Sequence, residues 1–334
     1  MVVLITGGCG YIGSFLAREL PKHGTFRGET VRILDNLSAN TWPSISAMPK
    51  DFKYELLIGD IRNKDEVRRA LEDVDTVFHY GGPVGAAAAA DGGRPSREVI
   101  ADGTKGFLDW CISKGVRRFV NTSTGGVYGR IRVPIANEDT ECFPEGPYSQ
   151  AKLEAERHCS KRAVEAGMHI VSLRLATVSG FNTVMRMENM LHAFAILASI
   201  GQPLPVWRET IGKLRPFVDI RDVVQAFLFA ASNPNCRGGV FNVCNYNETA
   251  EGIVEYLKSR IPSTQMIVVD HSVYSQNNFT YPQDGSRIAS LGFEYRHTLP
   301  DTVDTLLPKY EVYVRTRAAN VTVSTDVHVD ARVG

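Results

Sequence analysis

The chain has 334 residues, 43% of them hydrophobic and 22% charged, which suits one large α/β domain or such a domain with a smaller lobe. Its formal net charge is zero and no apolar run has the length of a membrane helix, so neither nucleic acid nor a membrane is expected as a partner. The six cysteines form no Cys-x-x-Cys pair and no zinc spacing, which predicts no metal and favours a reducing cytoplasm.

The first predicted element is a buried strand, residues 2–6, which leads directly into glycines spaced Gly7-x-x-Gly10-x-x-Gly13. A helical pattern follows at 14–20. A strand, a glycine turn and a helix in this order direct backbone N–H groups and a helix N-terminus at a pyrophosphate. Glycine-rich turns are common, so this motif alone is weak evidence.

The second predicted strand, residues 31–35, supplies the confirming signal because it ends in Asp35, about 20 residues after the glycine motif. A carboxylate there accepts hydrogen bonds from the adenosine ribose 2′-OH and repels a 2′-phosphate. No Arg directly follows Asp35, so NAD is favoured over NADP. The alternative is a purely structural Asp at a strand end.

Further strands alternate with helices through the first half of the chain. Such alternation predicts parallel strands joined by helical crossovers, and therefore a Rossmann-type doubly wound parallel sheet in an NAD-binding domain, residues 1–179. The predicted strands are 54–58, 76–79, 118–122 and 170–175, and the predicted helices are 64–71, 105–114 and 150–166.

From residue 180 the pattern loosens, which predicts a smaller lobe, mainly substrate-binding, at 180–310. It would cover the carboxyl ends of the strands, where α/β sheets bind ligands. Val and Thr nearly alternate in the tail, residues 311–334, which favours one or two strands, with a disordered appendage as the alternative. In the lobe, strands are predicted at 217–220 and 240–243, and helices at 223–231 and 250–260.

A candidate catalytic group comes from Tyr148 and Lys152, four residues apart and therefore on one face of a helix. A cation beside the phenol would lower the Tyr pKa, as a general base requires. Such a pair often arises by chance on a solvated helix. However, an apolar strand upstream ends in hydroxyls at Thr124, where a side chain can share a substrate oxygen with Tyr148.

Together these motifs resemble the extended short-chain dehydrogenase/reductase family of NAD-dependent nucleotide-sugar epimerases and dehydratases, most of all UDP-glucose 4-epimerases. The resemblance covers roughly residues 1 to 308. The matching stretches are 6–13, 34–38, 59–62, 77–79, 123–129, 147–152, Arg174, 215–223, 284–287 and 291–293.

The resemblance implies a role for each matched residue. Asp60 and Ile61 would contact adenine, Thr124 and Tyr148 the reacting hydroxyl, and Lys152 the nicotinamide ribose. The expected cofactor contacts are Gly7, Gly10, Tyr11, Ile12, Gly13, Asp35, Asn36, Asp60, Ile61, Tyr80, Tyr148 and Lys152, and the expected substrate contacts are Thr124, Thr177, Arg208 and Arg215.

Within this family, the residues after the strand-end hydroxyl distinguish the reactions. Dehydratases place Asp-Glu there, whereas Gly125-Gly126 carry no titratable group, which favours a C4 epimerase by elimination. Three substrate-side positions depart from the family. Thr177 and Ile100 stand where relatives carry Asn, and 275–279 lack an expected Arg, for which Arg208 or Lys213 would have to compensate.

The prediction is therefore an NAD-dependent epimerase that acts on a nucleotide sugar, by transient oxidation to a 4-keto intermediate. One alternative is a dehydratase, or a net dehydrogenase or reductase, of the same family. A non-enzymatic alternative is a cofactor-sensing regulator with the same fold, against which the intact Thr124, Tyr148 and Lys152 count. The resemblance also implies a homodimer, formed through the helix beginning near Lys105 and the helix that carries Tyr148.

Overall fold

A central sheet organises the molecule in a computed structural model that describes residues 1–50, 52–270 and 281–318. The strands, in chain order, are β1 (Val2–Thr6), β2 (Thr30–Asp35), β3 (Tyr54–Ile58), β4 (Val74–His79), β5 (Arg118–Thr124), β6 (His169–Leu175), β7 (Thr177–Ser179), β8 (Leu204–Trp207), β9 (Arg215–Asp219), β10 (Val240–Val243), β11 (Tyr246–Glu248) and β12 (Met266–Val269).

Helices connect and cover these strands. A π-helical segment, Ser96–Gly103, and a 3-10 turn, Gly125–Tyr128, lie near the carboxyl edge of the sheet. The α-helices are α1 (Tyr11–Glu19), α2 (Pro43–Ser46), α3 (Lys64–Ala70), α4 (Ala86–Pro95), α5 (Thr104–Ser113), α6 (Pro147–Ala166), α7 (Met190–Ser199), α8 (Ile220–Ser232), α9 (Ala250–Arg260), α10 (Ser286–Ala289) and α11 (Leu299–Ala318).

Seven strands form one parallel sheet in the order β10-β6-β5-β4-β1-β2-β3. The chain runs outward from β1 to β3 and then returns to place β4 on the other side of β1. Connections therefore leave in opposite directions at β1 and β4, which opens a crevice at the carboxyl ends of these strands. The predicted Rossmann-type doubly wound sheet is confirmed.

Alternate residues of β1 face opposite sides of this sheet, as the period of a strand requires. Val3 and Ile5 pack with α1 and α8, whereas Leu4 packs with α3, α5 and α6. All three side chains are essentially inaccessible to solvent. Burial on both faces explains why the strand sequence is continuously apolar.

A second group of elements covers the carboxyl edge. β9 pairs with β7 in parallel and with β11 antiparallel, and β8 pairs with β12. α7, α9 and α11 form a separate core that includes Leu191, Ile253 and Val303. The central sheet nevertheless takes β10 from beyond residue 179, so the predicted division at residue 179 stays a prediction.

The elements predicted before residue 311 occur where the sequence placed them, with ends that differ by at most three residues. α6 begins three residues before the predicted helix because Pro147 occupies its first position, where a missing N–H costs nothing.

The strand predicted in the tail is wrong for residues 311–318, because α11 continues through them to Ala318. Val303, Leu306, Leu307 and Tyr310 anchor the preceding turns in a core at helical spacing, and each further residue extends the helix at low cost. Tertiary packing thus overrides the local preference of Val and Thr for strands. The remainder of the predicted strand, 319–334, lies outside the described residues.

Candidate active site

The glycine motif forms a turn between β1 and the N-terminus of α1. Gly7 has a φ of +65°, and a Cβ added to Gly13 would lie 2.4 Å from the Gly7 carbonyl oxygen. Gly10 is the N-cap of α1, and a Cβ added to it would meet only the Gly7 carbonyl oxygen, at 3.2 Å. A Cβ-free cradle at a helix N-terminus fits a pyrophosphate.

Asp35 lies at the end of β2, beside this cradle. Its carboxylate accepts hydrogen bonds from the N–H of Cys9 at 3.0 Å and of Leu37 at 2.8 Å. A carboxylate offers about four acceptor positions, so two remain for the hydroxyls of a ribose. The chain's own residues therefore fit NAD at this end of the crevice.

The predicted adenine contacts lie next to Asp35. Asn36 Nδ2 donates to Asp60 Oδ2 at 3.4 Å, and Arg62 donates to both oxygens of this carboxylate, at 2.9 Å to Oδ1 and 2.8 Å to Oδ2. The hydrogen bond from Arg62 keeps the pKa of Asp60 below its usual value. Ile61 is buried and borders a groove of about 350 Å³ that Trp110 also lines.

Two of the predicted cofactor residues direct their phenols elsewhere. The Tyr11 hydroxyl donates to the Gly180 carbonyl at 2.6 Å, and the Tyr80 ring packs on Phe227 with 4.6 Å between centroids. Ile12 packs at the edge of the core around α1. Contacts of these residues with a cofactor stay predictions, and they would involve the backbone of Tyr11 and Tyr80 rather than the hydroxyls.

The three predicted catalytic residues converge at the ends of β5 and α6. Thr124 ends β5, and its Oγ1 accepts a hydrogen bond from the Gly126 N–H at 3.2 Å. Tyr148 lies in the first turn of α6, and Lys152 follows one turn later. Lys152 Nζ donates to the Thr122 carbonyl at 2.7 Å and lies 5.9 Å from the centroid of the Tyr148 ring.

Burial controls the proton affinities of this pair. It raises the pKa of Tyr148 to about 12, an effect that the Arg186 guanidinium partly offsets and the Tyr281 phenol reinforces. Burial also lowers the pKa of Lys152 to about 8. The prediction that Lys152 lowers the Tyr148 pKa is not confirmed in this structure, because Lys152 bonds a backbone carbonyl and burial dominates.

Ile100 contributes to that burial. This side chain is 1% exposed and packs in a small apolar cluster with Ala151 and the Tyr148 ring. The sequence shows it as a departure from the family's Asn, but only the structure reveals its contact with Tyr148.

A buried polar network behind the site connects β5, α6 and β6. The Glu156 carboxylate accepts from Ser123 Oγ at 2.7 Å and from two Arg174 nitrogens at 2.7 and 3.0 Å. Arg174 also donates to the Tyr128 hydroxyl, which donates to Asn242. Burial lowers the pKa of Arg174, but the Glu156 carboxylate outweighs this effect and raises that pKa above its usual value. Sequence reasoning missed Glu156 because nothing in its helical context marks it.

The predicted substrate contacts have different surroundings. Thr177 pairs with Phe217 where β7 meets β9, and half-buried Arg215 begins β9. Burial lowers the pKa of Arg215, and the Tyr281 phenol partly restores it. Arg208 lies on the surface beside Asp270, to which its side chain is paired.

Gln283 is a further polar residue at this site that the sequence did not indicate. A Cβ added to Gly125 would lie 1.8 Å from Gln283 Nε2, so the amide occupies the space beside the residue that follows Thr124. Gln283 is 2% exposed, and neither its Nε2 nor its Oε1 has a hydrogen-bond partner among the described residues.

Two kinds of feature are absent from the described part of the chain. In residues 1–50, 52–270 and 281–318, no group of three or more His, Cys, Asp or Glu side chains could hold a metal ion. Nor does any helix in these residues combine the length and apolarity that a membrane crossing requires.

The chain matches one protein-family model and several curated proteins. The model of the NAD dependent epimerase/dehydratase family matches residues 3–244. Uncharacterized protein y4nG of Sinorhizobium fredii is 32% identical over 53% of this chain and 41% of that protein. The trifunctional UDP-glucose 4,6-dehydratase/UDP-4-keto-6-deoxy-D-glucose 3,5-epimerase/UDP-4-keto-L-rhamnose-reductase RHM2 of Arabidopsis thaliana is 27% identical over 90% of this chain and 45% of that protein.

UDP-glucose 4-epimerase of Streptomyces lividans is 28% identical over 68% of this chain and 70% of that protein. The chain thus spans less than half the length of two of these three relatives.

Two solved structures show the same fold. UDP-glucuronic acid 4-epimerase from Bacillus cereus, in complex with UDP-glucuronic acid and NAD, has a TM-score of 0.81 and 23% identity, over 94% of this chain and 100% of that chain. Thermus thermophilus UDP-glucose 4-epimerase, in complex with NAD, has a TM-score of 0.78 and 23% identity, over 93% of this chain and 99% of that chain.

Since the family model covers more than half of the residues and the glycine cradle and Asp35 fit the cofactor, the chain belongs to the NAD dependent epimerase/dehydratase family and is an enzyme that uses NAD.

Proposed function

We propose that this enzyme epimerises a nucleotide sugar at C4 through a transient 4-keto intermediate. The observation that carries the proposal is the convergence of Thr124, Tyr148 and Lys152 beside Gly125-Gly126, which bring no acid or base of their own. The similarity to a UDP-glucose 4-epimerase supports the same reaction class. When bound, NAD supplies a reversible hydride acceptor.

In the proposed reaction, Tyr148 accepts the proton of the C4 hydroxyl at its phenol oxygen and later returns it. Thr124 Oγ1 shares a hydrogen bond with that hydroxyl. Because burial raises the Tyr148 pKa to about 12, the base form needs a cation nearby, which Arg186 supplies. Lys152 holds the nicotinamide ribose.

We assign the pyrophosphate of the substrate to Arg215. Its guanidinium is half-buried, and no carboxylate among the described residues is paired with it. A buried cation without a carboxylate partner favours an anionic ligand. Thr177 and Arg208 remain weaker candidates, and Arg208 would first have to release Asp270.

The remaining cofactor assignments follow from the cradle at the start of α1. Gly7, Gly10, Tyr11, Ile12 and Gly13 would hold the pyrophosphate of NAD through backbone groups. Asp35 and Asn36 would bind the adenosine ribose, Asp60 and Ile61 the adenine, and Tyr80 would contact the cofactor through its backbone.

A dehydratase is the second candidate function, because the trifunctional relative includes a UDP-glucose 4,6-dehydratase. Elimination of water across C5 and C6 needs an additional acid and base next to Thr124. Gly125 and Gly126 cannot supply them, and the neighbouring Gln283 amide does not titrate. The C4 epimerase is therefore the better supported reaction.

The test is to incubate the purified enzyme and NAD with UDP-, dTDP-, GDP- and CDP-sugars and to identify the products by NMR. Epimerisation predicts an isomer of unchanged mass. A product that has lost one water would support the dehydratase, and accumulation of NADH with an oxidised sugar would support a dehydrogenase.

We further propose a cytoplasmic homodimer. All six cysteines are free thiols, which suits a reducing compartment. The resemblance to the short-chain family supports pairing through α5 and α6. Light scattering at micromolar concentration should give twice the monomer mass, and a monomer would contradict the pairing.

A further inference from the structure

Four hydrogen bonds hold the backbone of residues 282–284 in place. Gln283 N–H donates to Asn247 Oδ1 and its carbonyl accepts from Asn247 Nδ2, both at 2.9 Å. On the other edge, Ala136 N–H donates to the Pro282 carbonyl at 2.7 Å and its carbonyl accepts from Asp284 N–H at 2.9 Å. These bonds fix the position of the residue without using its side chain.

The Gln283 side chain therefore carries a carboxamide whose hydrogen-bonding capacity is unused. It is 2% exposed, and neither polar atom has a partner among the described residues. A buried donor or acceptor without a partner is a substantial cost to stability. Retention of such a group beside a catalytic residue is explained if a ligand completes its hydrogen bonds.

The position of the carboxamide indicates which part of the substrate it would meet. It fills the space next to Gly125, where any side chain would collide with Nε2, and Gly125 directly follows Thr124. A group that binds this amide therefore lies next to the substrate hydroxyl assigned to Thr124. On a sugar that reacts at C4, one ring neighbour is C5 with its exocyclic substituent.

The amide also selects the chemistry of that substituent. A hydroxyl both donates and accepts, so it can form hydrogen bonds with Oε1 and Nε2. A carboxylate can only accept, and its charge would repel Oε1. The cation on this segment, Arg287, is already bound to Glu138 at 3.2 Å and to Asp139. We infer that Gln283 binds the C5 substituent of the sugar and selects a neutral hydroxymethyl group over a carboxylate.

This inference rests on the proposed nucleotide-sugar epimerase. The test compares kcat/KM for UDP-glucose and UDP-glucuronate in the wild-type holoenzyme and in Gln283→Met, which keeps the side-chain length but removes both polar atoms. Gln225→Met, at an exposed position on α8, is the matched control. Melting temperature and NAD binding are measured for every variant.

Wild type should prefer UDP-glucose, and Gln283→Met should lower kcat/KM for that sugar about tenfold, the size of one neutral hydrogen bond, with an unchanged or higher melting temperature. The ratio between the two sugars should fall, which a merely structural role would not produce. Gly125→Ala should have the same effect by displacing the amide, and the two changes should not add.

Retention of wild-type kcat/KM by Gln283→Met, or an equal loss for both sugars, would overturn the role of Gln283 while leaving the epimerase intact. If the wild type converts neither of these sugars and no other nucleotide sugar, both proposals are overturned.

Discussion

Two carboxylates on the cofactor side of the crevice have hydrogen-bond partners, whereas an amide and a guanidinium on the substrate side have none in the part of the chain that the structure describes. On the cofactor side, Asp35 already bonds two backbone N–H groups, and Asp60 is bound by Asn36 and Arg62. On the substrate side, the Gln283 amide and the Arg215 guanidinium lack such partners among the described residues.

This contrast has a physical meaning. A preorganised site binds its ligand without paying to reorder side chains, which suits a cofactor that returns unchanged after each turnover. Groups left without partners are costly in the free protein and become favourable only with the right ligand. The substrate side is therefore where specificity is expected.

The largest expected effect is at the boundary between the two sides. Tyr148→Phe removes the proton acceptor and should lower kcat about 1,000-fold or more, the range of a positioned general base. NAD binding, followed by fluorescence titration, should stay close to wild type because the ring is kept. A variant with most of its activity would show that Tyr148 is not the base.

Glu156→Gln should produce the largest loss of stability, because it leaves the buried Arg174 guanidinium without its charge partner. The free energy of unfolding should fall by about 3–5 kcal/mol in urea denaturation. The control is Glu165→Gln on the exposed face of the same helix, for which little change is expected. Equal effects of the two substitutions would show that the network does not support the fold.

Thr124→Val keeps the shape of the strand-end residue but removes its hydroxyl. Because one positioned hydrogen-bonding partner is lost, kcat/KM should fall about 100-fold while the melting temperature changes little. If Thr124 only caps the following turn through its bond to Gly126, the melting temperature will fall, whereas kcat per folded molecule will stay unchanged.

The pH dependence of kcat/KM distinguishes the role of Lys152 from that of Tyr148. The pKa of Lys152 is about 8 and that of Tyr148 is about 12. Below pH 8, Lys152 keeps its charge and the fraction of Tyr148 present as phenolate grows with pH, so kcat/KM should rise. Above about pH 8 Lys152 loses the charge with which it is proposed to hold the nicotinamide ribose, so kcat/KM should stop rising. In Lys152→Met the rise should continue past pH 8; an unchanged break would assign it to another group.

Asp35→Ser tests the cofactor side with the smallest expected change. Loss of the carboxylate removes its repulsion of a 2′-phosphate, so the preference for NAD over NADP should narrow about tenfold. The measurement is the ratio of dissociation constants for the two cofactors. Equal affinity for both in the unmodified protein would contradict the assignment of Asp35.

The same contrast explains what the sequence could predict. Gly7, Gly10, Gly13 and Asp35 belong to one continuous strand-turn-helix-strand unit, so their spacing alone places them together. Local patterns also located β1 to β6, β9, β10 and six of the α-helices, but not the short strands β7, β8, β11 and β12. The prediction failed in residues 311–318, where the packing of α11 outweighs the preference of Val and Thr for strands.

The substrate side depends on contacts between distant parts of the chain. Gln283 reaches Gly125 only because Ala136 and Asn247 hold its segment in place. Ile100 reaches Tyr148 only after the sheet has formed. No spacing rule in the sequence links these residues, and so their contacts could not be predicted.

The most direct test of C4 epimerisation uses a nucleotide sugar that carries deuterium at C4, incubated with the enzyme and NAD in ordinary water. C4 epimerisation predicts that the C4 epimer forms with its deuterium still at C4, because the deuterium leaves and returns within one site. Loss of water with the deuterium transferred to C6, or deuterium accumulating on released NADH, would contradict it.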